Sequence, residues 1–371
     1  MLFEPGAAAG LAGELRRLAL RRPVLLCSAR MAASAKFELI RRQMEAFNVL
    51  HIDNIPSHSS VSLIETVAHR AAQFKPDCIV ALGGGSVSDS AKGLAMLLAE
   101  GGALADHATH FEPPSTVTVP HRVQPKLPII SLPTTASGAE ATPSFGISDG
   151  HEKLLFWNRS LACTSILIDP DWCDDVPMNI LHSTAMNGIA HCLEGLYSRN
   201  RSPVSDALAM HGLRFFIKGL VPDKALPEAE QRQALLMAGH MSGMVLSMAR
   251  SCLHHAICHV IGARHNTGHG AVNTVMLAHT LRFNEPVAGN ELAPALDMIN
   301  GMSAGRYTSV SDWVAQLIET LSLPGRLSQL GITEADLDEI AAGTLAERGL
   351  AFNPRPVIHS SDIKSILRNA L

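Results

Sequence analysis

The sequence predicts an α/β N-terminal domain followed by an all-α C-terminal domain. Three observations carry that prediction. Up to about residue 158, short apolar runs alternate with helical periodicities. Beyond it, long helical patterns follow one another with few β-branched runs. The chain also has 371 residues and 47% hydrophobic content, more than one small core fills. Runs apolar on both faces suit parallel strands covered by helices, and their alternation with helices suits a doubly wound sheet. The expected domains are residues 1–158 and 159–371.

The elements follow in order. The opening MLFEPGAAAGLAGELRRLALRR mixes apolar residues with charge and lacks a basic start, so it reads as a helix and not a secretion signal. Strands are expected at Pro23–Ser28, Val49–Ile52, Cys78–Leu82 and Pro128–Leu132. Gly101–Pro114, with His107 and His110, is the candidate for a floppy loop over a ligand cleft. Residues Val117–Gly150 should link the two domains and carry the last strands. Helices are expected over Ser205–Gly219, Glu228–Ala249, Leu253–Ile261 and Ser311–Leu321.

Composition removes several function classes. With a net charge of -4 there is no basic field for nucleic acid or an anionic membrane, and 4% aromatic content argues against stacking on single strands. No 18-residue uncharged apolar run occurs, so no membrane span is expected. Seven Cys, an odd number without a CxxC pair, suit reduced thiols. A cytoplasmic location follows by elimination.

Chemistry concentrates in three places. Gly83-Gly84-Gly85-Ser86-Val87-Ser88-Asp89-Ser90-Ala91-Lys92 follows the strongest strand and opens a helix. Glycines let backbone approach a ligand closely, and free N–H groups at a helix start favour an anion. The Ser86 hydroxyl is expected to cap the helix and donate to a phosphate. Asp89, in the first turn, disfavours phosphate and should point elsewhere. The alternative is a tight turn without ligand, since the motif is neither GxGxxG nor a Walker loop. The second place, Pro133–Pro143, also follows a strand. Its hydroxyls suit ribose or phosphate oxygens, and Glu140 is expected to brace the loop; a capped loop without ligand is the alternative. The third is a set of spaced histidines. Asn187 and His191 lie four apart, as do His255 and His259, so each pair shares a helix face. His269 follows in a loop or helix start. Convergence of His191, His255 and His269 would suit Fe(II) or Zn(II), or the same imidazoles would work without metal by polarising a carbonyl and delivering a proton. Satisfied core histidines are the plain alternative.

Together, GGGSVSDSAK, PTTASGAEATPSFG, MNGIAHCLEGLYS and HHAICHVIGARHNTGHG, in that order, resemble the iron-containing alcohol dehydrogenase family, over about residues 20 to 357. The resemblance implies the fold shared with dehydroquinate synthase: a nucleotide-binding domain, a helical domain and an active site in the cleft. The maleylacetate reductase branch fits best. It resembles this chain in Asn187-x-x-x-His191 where most members carry Asp, in Glu194, Leu196, Tyr197 and Pro203, and in Leu253-His254-His255 with Cys258-His259. Asn353-Pro354-Arg355-Pro356-Val357 matches as well. Three stretches depart from that branch: Ala29-Arg30, Ser88–Lys92 and Ala263–Gly268.

The resemblance implies roles. Gly84, Gly85 and Ser86 would hold the pyrophosphate of NADH or NADPH. Thr134, Thr135 and Lys153 would contact ribose and phosphate, and Asp89 would lie near the nicotinamide or substrate. Ser28 stands where an acid would select NAD, leaving room for NADPH. His191, His255 and His269 match the metal ligands, but the neutral Asn187 weakens the site, so the enzyme is expected to hold Fe(II) or Zn(II) weakly or none. His259 is the expected proton donor, and Arg264, His265 and Arg355 are candidate anchors for a carboxylate substrate. The implied reaction is reduction of a small keto acid, maleylacetate to 3-oxoadipate in aromatic degradation, by a homodimer. The alternatives are a metal-dependent dehydrogenase of another small alcohol or aldehyde, and an idle nucleotide-binding scaffold. A lyase of the dehydroquinate synthase kind fits the Asn187 and HHxxCH patterns poorly.

Overall fold

The computed structural model describes residues 1–113, 116–150, 153–220, 226–265, 267–303 and 305–371. Pro114 of the expected loop and Asn266 before His269 lie outside the described residues. Among the described residues the strands are β1 (Leu2–Phe3), β2 (Pro23–Leu26), β3 (Leu50–Ile52), β4 (Cys78–Gly83), β5 (His110–Glu112), β6 (Thr116–Thr118), β7 (Ile129–Pro133), β8 (Ser144–Ser148), β9 (Lys153–Trp157) and β10 (Ser165–Ile168). The α-helices of the first half are α1 (Leu11–Arg17), α2 (Ala29–Ala32), α3 (Ala35–Gln43), α4 (Val61–Phe74) and α5 (Gly85–Glu100). Those of the second half are α6 (Met178–Tyr197), α7 (Pro203–Leu220), α8 (Glu228–Ala249), α9 (Leu253–His265), α10 (His269–Met302), α11 (Val310–Thr320), α12 (Leu337–Thr344) and α13 (Ser360–Asn369).

The chain divides into two compact units. The first comprises Met1–Thr109 and Val119–Val176; the second comprises His110–Thr118 and Pro177–Leu371. The first unit is built on a six-stranded sheet in the order β1-β10-β7-β4-β2-β3, with every pairing parallel. Side chains alternate across a strand. Val24, Leu26, Ile79 and Ile129 therefore pack with α4 and α5 residues such as Ile64, Ala91 and Leu94. Leu25, Val80 and Ile130 pack on the other face with Leu11, Leu15 and Ile40. This doubly covered parallel sheet is the architecture expected from the apolar strands.

Four expectations change. Ser165–Ile168 is a strand, β10, although it lies past the expected boundary at 158. It pairs with β7 and β1 inside the sheet, so the division falls between Val176 and Pro177. Leu2–Phe3 is an edge strand and the first helix starts only at Leu11, because pairing with Leu167 and Ile168 satisfies the backbone that a helix would otherwise use. Gly101–Pro114 is not a floppy loop over its described part. Leu104–His107 forms a 3-10 turn, and the buried His107 ring bonds Gly101 O at 2.8 Å and accepts from Arg122 Nε at 2.6 Å. His110–Glu112 then pairs antiparallel with Thr116–Thr118 and groups with the second unit.

The second unit is helical. Close helix packing leaves no room for side chains at some positions: a Cβ on Gly188 of α6 would lie 2.2 Å from Phe216 of α7. A core of Leu253, Ile257, Ile261, Val272, Met276, Leu337, Ile340, Ile363 and Leu367 joins α9, α10, α12 and α13. None of the seven cysteines forms a disulfide. No single helix among the described residues is long and apolar enough to cross a membrane.

Candidate functional site

In the first unit, two loops meet because their strands are neighbours. β4 and β7 run parallel with Gly83 opposite Pro133, so the loops that leave their C-terminal ends lie side by side. A Cβ on Gly84 would stand 2.9 Å from the Thr135 methyl, and one on Gly85 would stand 3.3 Å from Ser137 Oγ. A side chain at Gly84 would force Thr135 to move, and one at Gly85 would crowd Ser137. Gly84 caps α5 with no side chain bonded to the helix start, so backbone N–H groups of the first turn stand open to an anion. Lys92, with a fully buried side chain, donates to Ala139 O at 2.6 Å and Ser144 O at 2.9 Å, pinning the second loop to α5.

The structure alters several expected roles here. The Ser86 hydroxyl does not cap the helix; it donates to the Ser57 carbonyl. Asp89 accepts from Gly146 N at 3.3 Å and lies 3.9 Å from Lys92 Nζ. Burial pushes its carboxyl up despite Lys92 and Lys153. Lys153, opposite Ser148 in the β8–β9 hairpin, runs its stem across Gly146, where an added Cβ would meet Lys153 Cε. Thr134 is buried and bonds Gly83 O through its backbone N–H at 3.1 Å, which leaves Thr135 and Ser137 as the hydroxyls beside the glycines. Ser28 spends its hydroxyl as the cap of α2, accepting from Met31 N at 3.2 Å.

In the second unit, α6, α9 and the start of α10 gather the imidazoles. His191 and His255 stack at 4.7 Å between ring centroids. His269, the first residue of α10, lies 6.4 Å from His255 and 6.1 Å from His259. Two helix faces and one helix start therefore bring together residues up to 78 positions apart, as the spacing predicts. Asn187 lies between two of the rings: Nδ2 is 3.5 Å from His191 Nε2, and Oδ1 is 3.2 Å from His255 Nε2. Below them is Glu194, fully buried, which accepts from His254 N at 2.9 Å and from His255 Nδ1 at 2.6 Å. Burial raises the Glu194 carboxyl. Burial, then the neighbouring imidazoles, hold His191 well below the ordinary range. His254 falls to about 4 for the same reasons and donates Nε2–H to Asn273 O at 2.9 Å. His259 is oriented by Glu347 Oε2, 3.2 Å from its Nδ1.

Residues 1–170 match the iron-containing alcohol dehydrogenase family, and residues 182–371 match the C-terminal part of the Fe-containing alcohol dehydrogenase family. The chain belongs to the iron-containing alcohol dehydrogenase family. It is an oxidoreductase. It is similar to a maleylacetate reductase of Rhizobium sp. (strain MTP-10005), 27% identical over 100% of this chain and 95% of that one. It is also similar to a 4-hydroxybutyrate dehydrogenase of Cupriavidus necator, 28% identical over 99% and 96%. Among solved structures it resembles maleylacetate reductase from Agrobacterium tumefaciens, with a TM-score of 0.81, 26% identity and coverage of 100% and 95%.

Members of the iron-containing alcohol dehydrogenase family generally use a nicotinamide nucleotide and iron. The nucleotide fits this member: the uncapped start of α5, two glycines packed closely against the second loop and the adjacent hydroxyls form a phosphate cradle. An iron or zinc ion fits poorly. Such a site wants firm, preferably anionic ligands and an open position, whereas His191 and His255 both turn Nε2 onto one neutral amide. The donors that crowd within 4.8 Å of one another are instead Glu194, His254 and His255. Glu194 is already committed there to a backbone N–H and a ring nitrogen.

Of the expected substrate anchors, Arg355 is not gathered at the imidazoles. Arg264 pairs with Glu339 on the surface, and His265 ends α9. Arg355 lies over Phe283, fourteen residues along α10 from His269, or about 21 Å at 1.5 Å per residue. Residue types alone did not single out Glu194 as the brace or Asn273 as the acceptor. The Asn187–His191 spacing extended by three positions does reach Glu194, one helical turn on, and was the signal available.

Proposed function

We propose that this chain reduces a small keto acid with NADH or NADPH, with maleylacetate as the substrate it fits best, and that it does so without a metal ion. The observation that carries this reading is the Asn187 amide set between His191 and His255, a neutral bridge where an anionic ligand would hold a cation more firmly. Relatives over the full length that include maleylacetate reductases and a 4-hydroxybutyrate dehydrogenase support a carboxylated substrate.

The nucleotide supplies a hydride when bound. The chain's own residues do the rest. Open N–H groups at the start of α5, with the Thr135 and Ser137 hydroxyls, hold phosphate. Lys92 fixes the loop that carries those hydroxyls. In maleylacetate the hydride adds to the alkene carbon remote from the keto group, the C=C electron pair shifts to give an enolate whose oxyanion the imidazoles stabilise, and His259, oriented by Glu347, delivers the proton to the carbon next to the keto group, which is kept. Glu194 accepts from Nδ1–H of His255 and so fixes which edge of that ring meets Asn187.

The second reading, a metal-dependent dehydrogenase of another small alcohol or aldehyde, rests on the three imidazoles themselves. One assay separates the two. NADH and NADPH consumption is followed with maleylacetate, other keto acids and aldehydes, after chelator treatment and with Fe(II) or Zn(II) restored. Full activity on keto acids after chelation supports the first reading. Activity confined to aldehydes, or present only with added metal, replaces it with the second.

A further inference from the structure

The second unit contains a cavity of about 400 Å³ between α10, α13 and the segment carrying Arg355. It lies about 21 Å along α10 from the imidazoles, as the position of Phe283 shows. Its polar lining is unspent. Arg355 is held flat by the Phe283 ring, 3.9 Å from its guanidinium carbon, and donates one N–H to Phe283 O at 2.9 Å. Those two contacts fix its fork while its other N–H groups meet no acceptor among the described residues. Arg282 has only a weak, exposed partner, Asp312, at 3.9 Å. The Ser365 hydroxyl and Asn369 amide, on one face of α13, have no side-chain hydrogen bond among the described residues. Asp362 is the one acid in the lining.

The lining carries two guanidinium groups, Arg282 and Arg355, against one carboxylate, Asp362. His279, on its wall, is lowered to about 4, first by burial and then by the charges of Arg282 and Arg326. A neutral imidazole, two guanidinium groups, a hydroxyl and an amide face one solvent-filled space with a single carboxylate. Guanidinium forks with N–H groups to spare match carboxylate and phosphate oxygens. A carboxylate beside them needs a hydroxyl donor from the ligand.

We propose that this cavity is a binding site for a small hydroxylated anion, its carboxylate or phosphate head on Arg282 and Arg355 and its hydroxyl on Asp362 and Ser365. The ligand ties α13 to α10. The assignment is independent of the reaction proposed above.

Calorimetric titration of the full chain with malate and with glycerol 3-phosphate tests it, with glycerol and equal-ionic-strength chloride as controls. Saturable one-to-one binding of at least one probe, weakened about tenfold or more in Arg282→Ala and in Ser365→Ala, supports the site. Malate alone assigns a carboxylate head, and glycerol 3-phosphate alone a phosphate head. Arg282 is exposed and Ser365 lies on the surface of α13, so both variants should fold, which circular dichroism checks. Absence of saturable binding by either probe overturns the proposal. So does binding that both variants retain unchanged, or binding lost equally on His259→Ala, which would place the probe at the imidazoles instead.

Discussion

At the scale of single residues, the second unit is organised around one amide and one carboxylate. Asn187 touches the rings of His191 and His255 together, and Glu194 holds the opposite edge of His255. Replacing Asn187 with Asp changes two atoms' chemistry and little volume, but adds a buried negative charge where three imidazoles meet. Zn(II) affinity, measured by competition with a chromophoric chelator, should rise about tenfold or more; unchanged affinity would contradict the account of why this donor set disfavours metal. His259→Ala should lower turnover about 10²-fold or more while nucleotide affinity, read from fluorescence titration, stays within a factor of two or so. An unaltered rate would remove His259 from the proton step. Each side chain was legible in the sequence as a member of a helical pair, Asn187 with His191 and His259 with His255. Glu194's role was not, because an acid beneath a histidine is visible only when the helices α6 and α9 are packed.

At the scale of elements, the two loops of the first unit depend on a strand register and a buried lysine. Lys92 answers the Ala139 carbonyl in the second loop and the Ser144 carbonyl just after it. Lys92→Met should leave both unsatisfied, costing about 2–4 kcal/mol by urea unfolding, and should raise the KM for nucleotide more than it lowers kcat. A loss of stability with no change in KM would show that the second loop does not touch nucleotide. Not every glycine is under such constraint. Gly289 sits inside α10 with open space where a Cβ would go. Gly289→Ala should therefore stabilise the protein by about 0.5–1 kcal/mol, seen as a higher urea midpoint with unchanged activity; a lower midpoint would show that α10 needs glycine there. The glycine run itself was readable from sequence. Its close approach to Thr135 and Ser137 was not, because it depends on β4 and β7 being adjacent in a sheet whose order skips through the chain.

At the scale of the whole molecule, acid should weaken the folded state through buried imidazoles. His279 is lowered to about 4 from an ordinary 6.5. Between those values the unfolded chain binds a proton that the folded chain refuses, so this residue's share of stability is intact above pH 6.5 and lost as pH falls toward 4. His279→Gln should escape that loss. The stability gap between it and the natural protein should shift in the variant's favour on acidification, by no more than about 1 kcal/mol per pH unit after solvent screening. Parallel urea midpoints from pH 7.5 to 4.5 would refute it.

The sequence by itself determined the class of fold, the glycine turn at the end of the strongest strand and the histidine pairs. Each of these is written in local periodicity, and four apart on a helix or alternating on a strand needs no distant partner to be read. The tertiary structure alone decided that β10 joins the first sheet, that Asn187 lies between two rings and that Glu194 braces one of them. It also decided that Arg355 lies on Phe283 instead of among the imidazoles. Those outcomes depend on which buried polar groups find partners across long stretches of chain, and unmet hydrogen bonds in a closed interior cost too much for the fold to leave them to local preference.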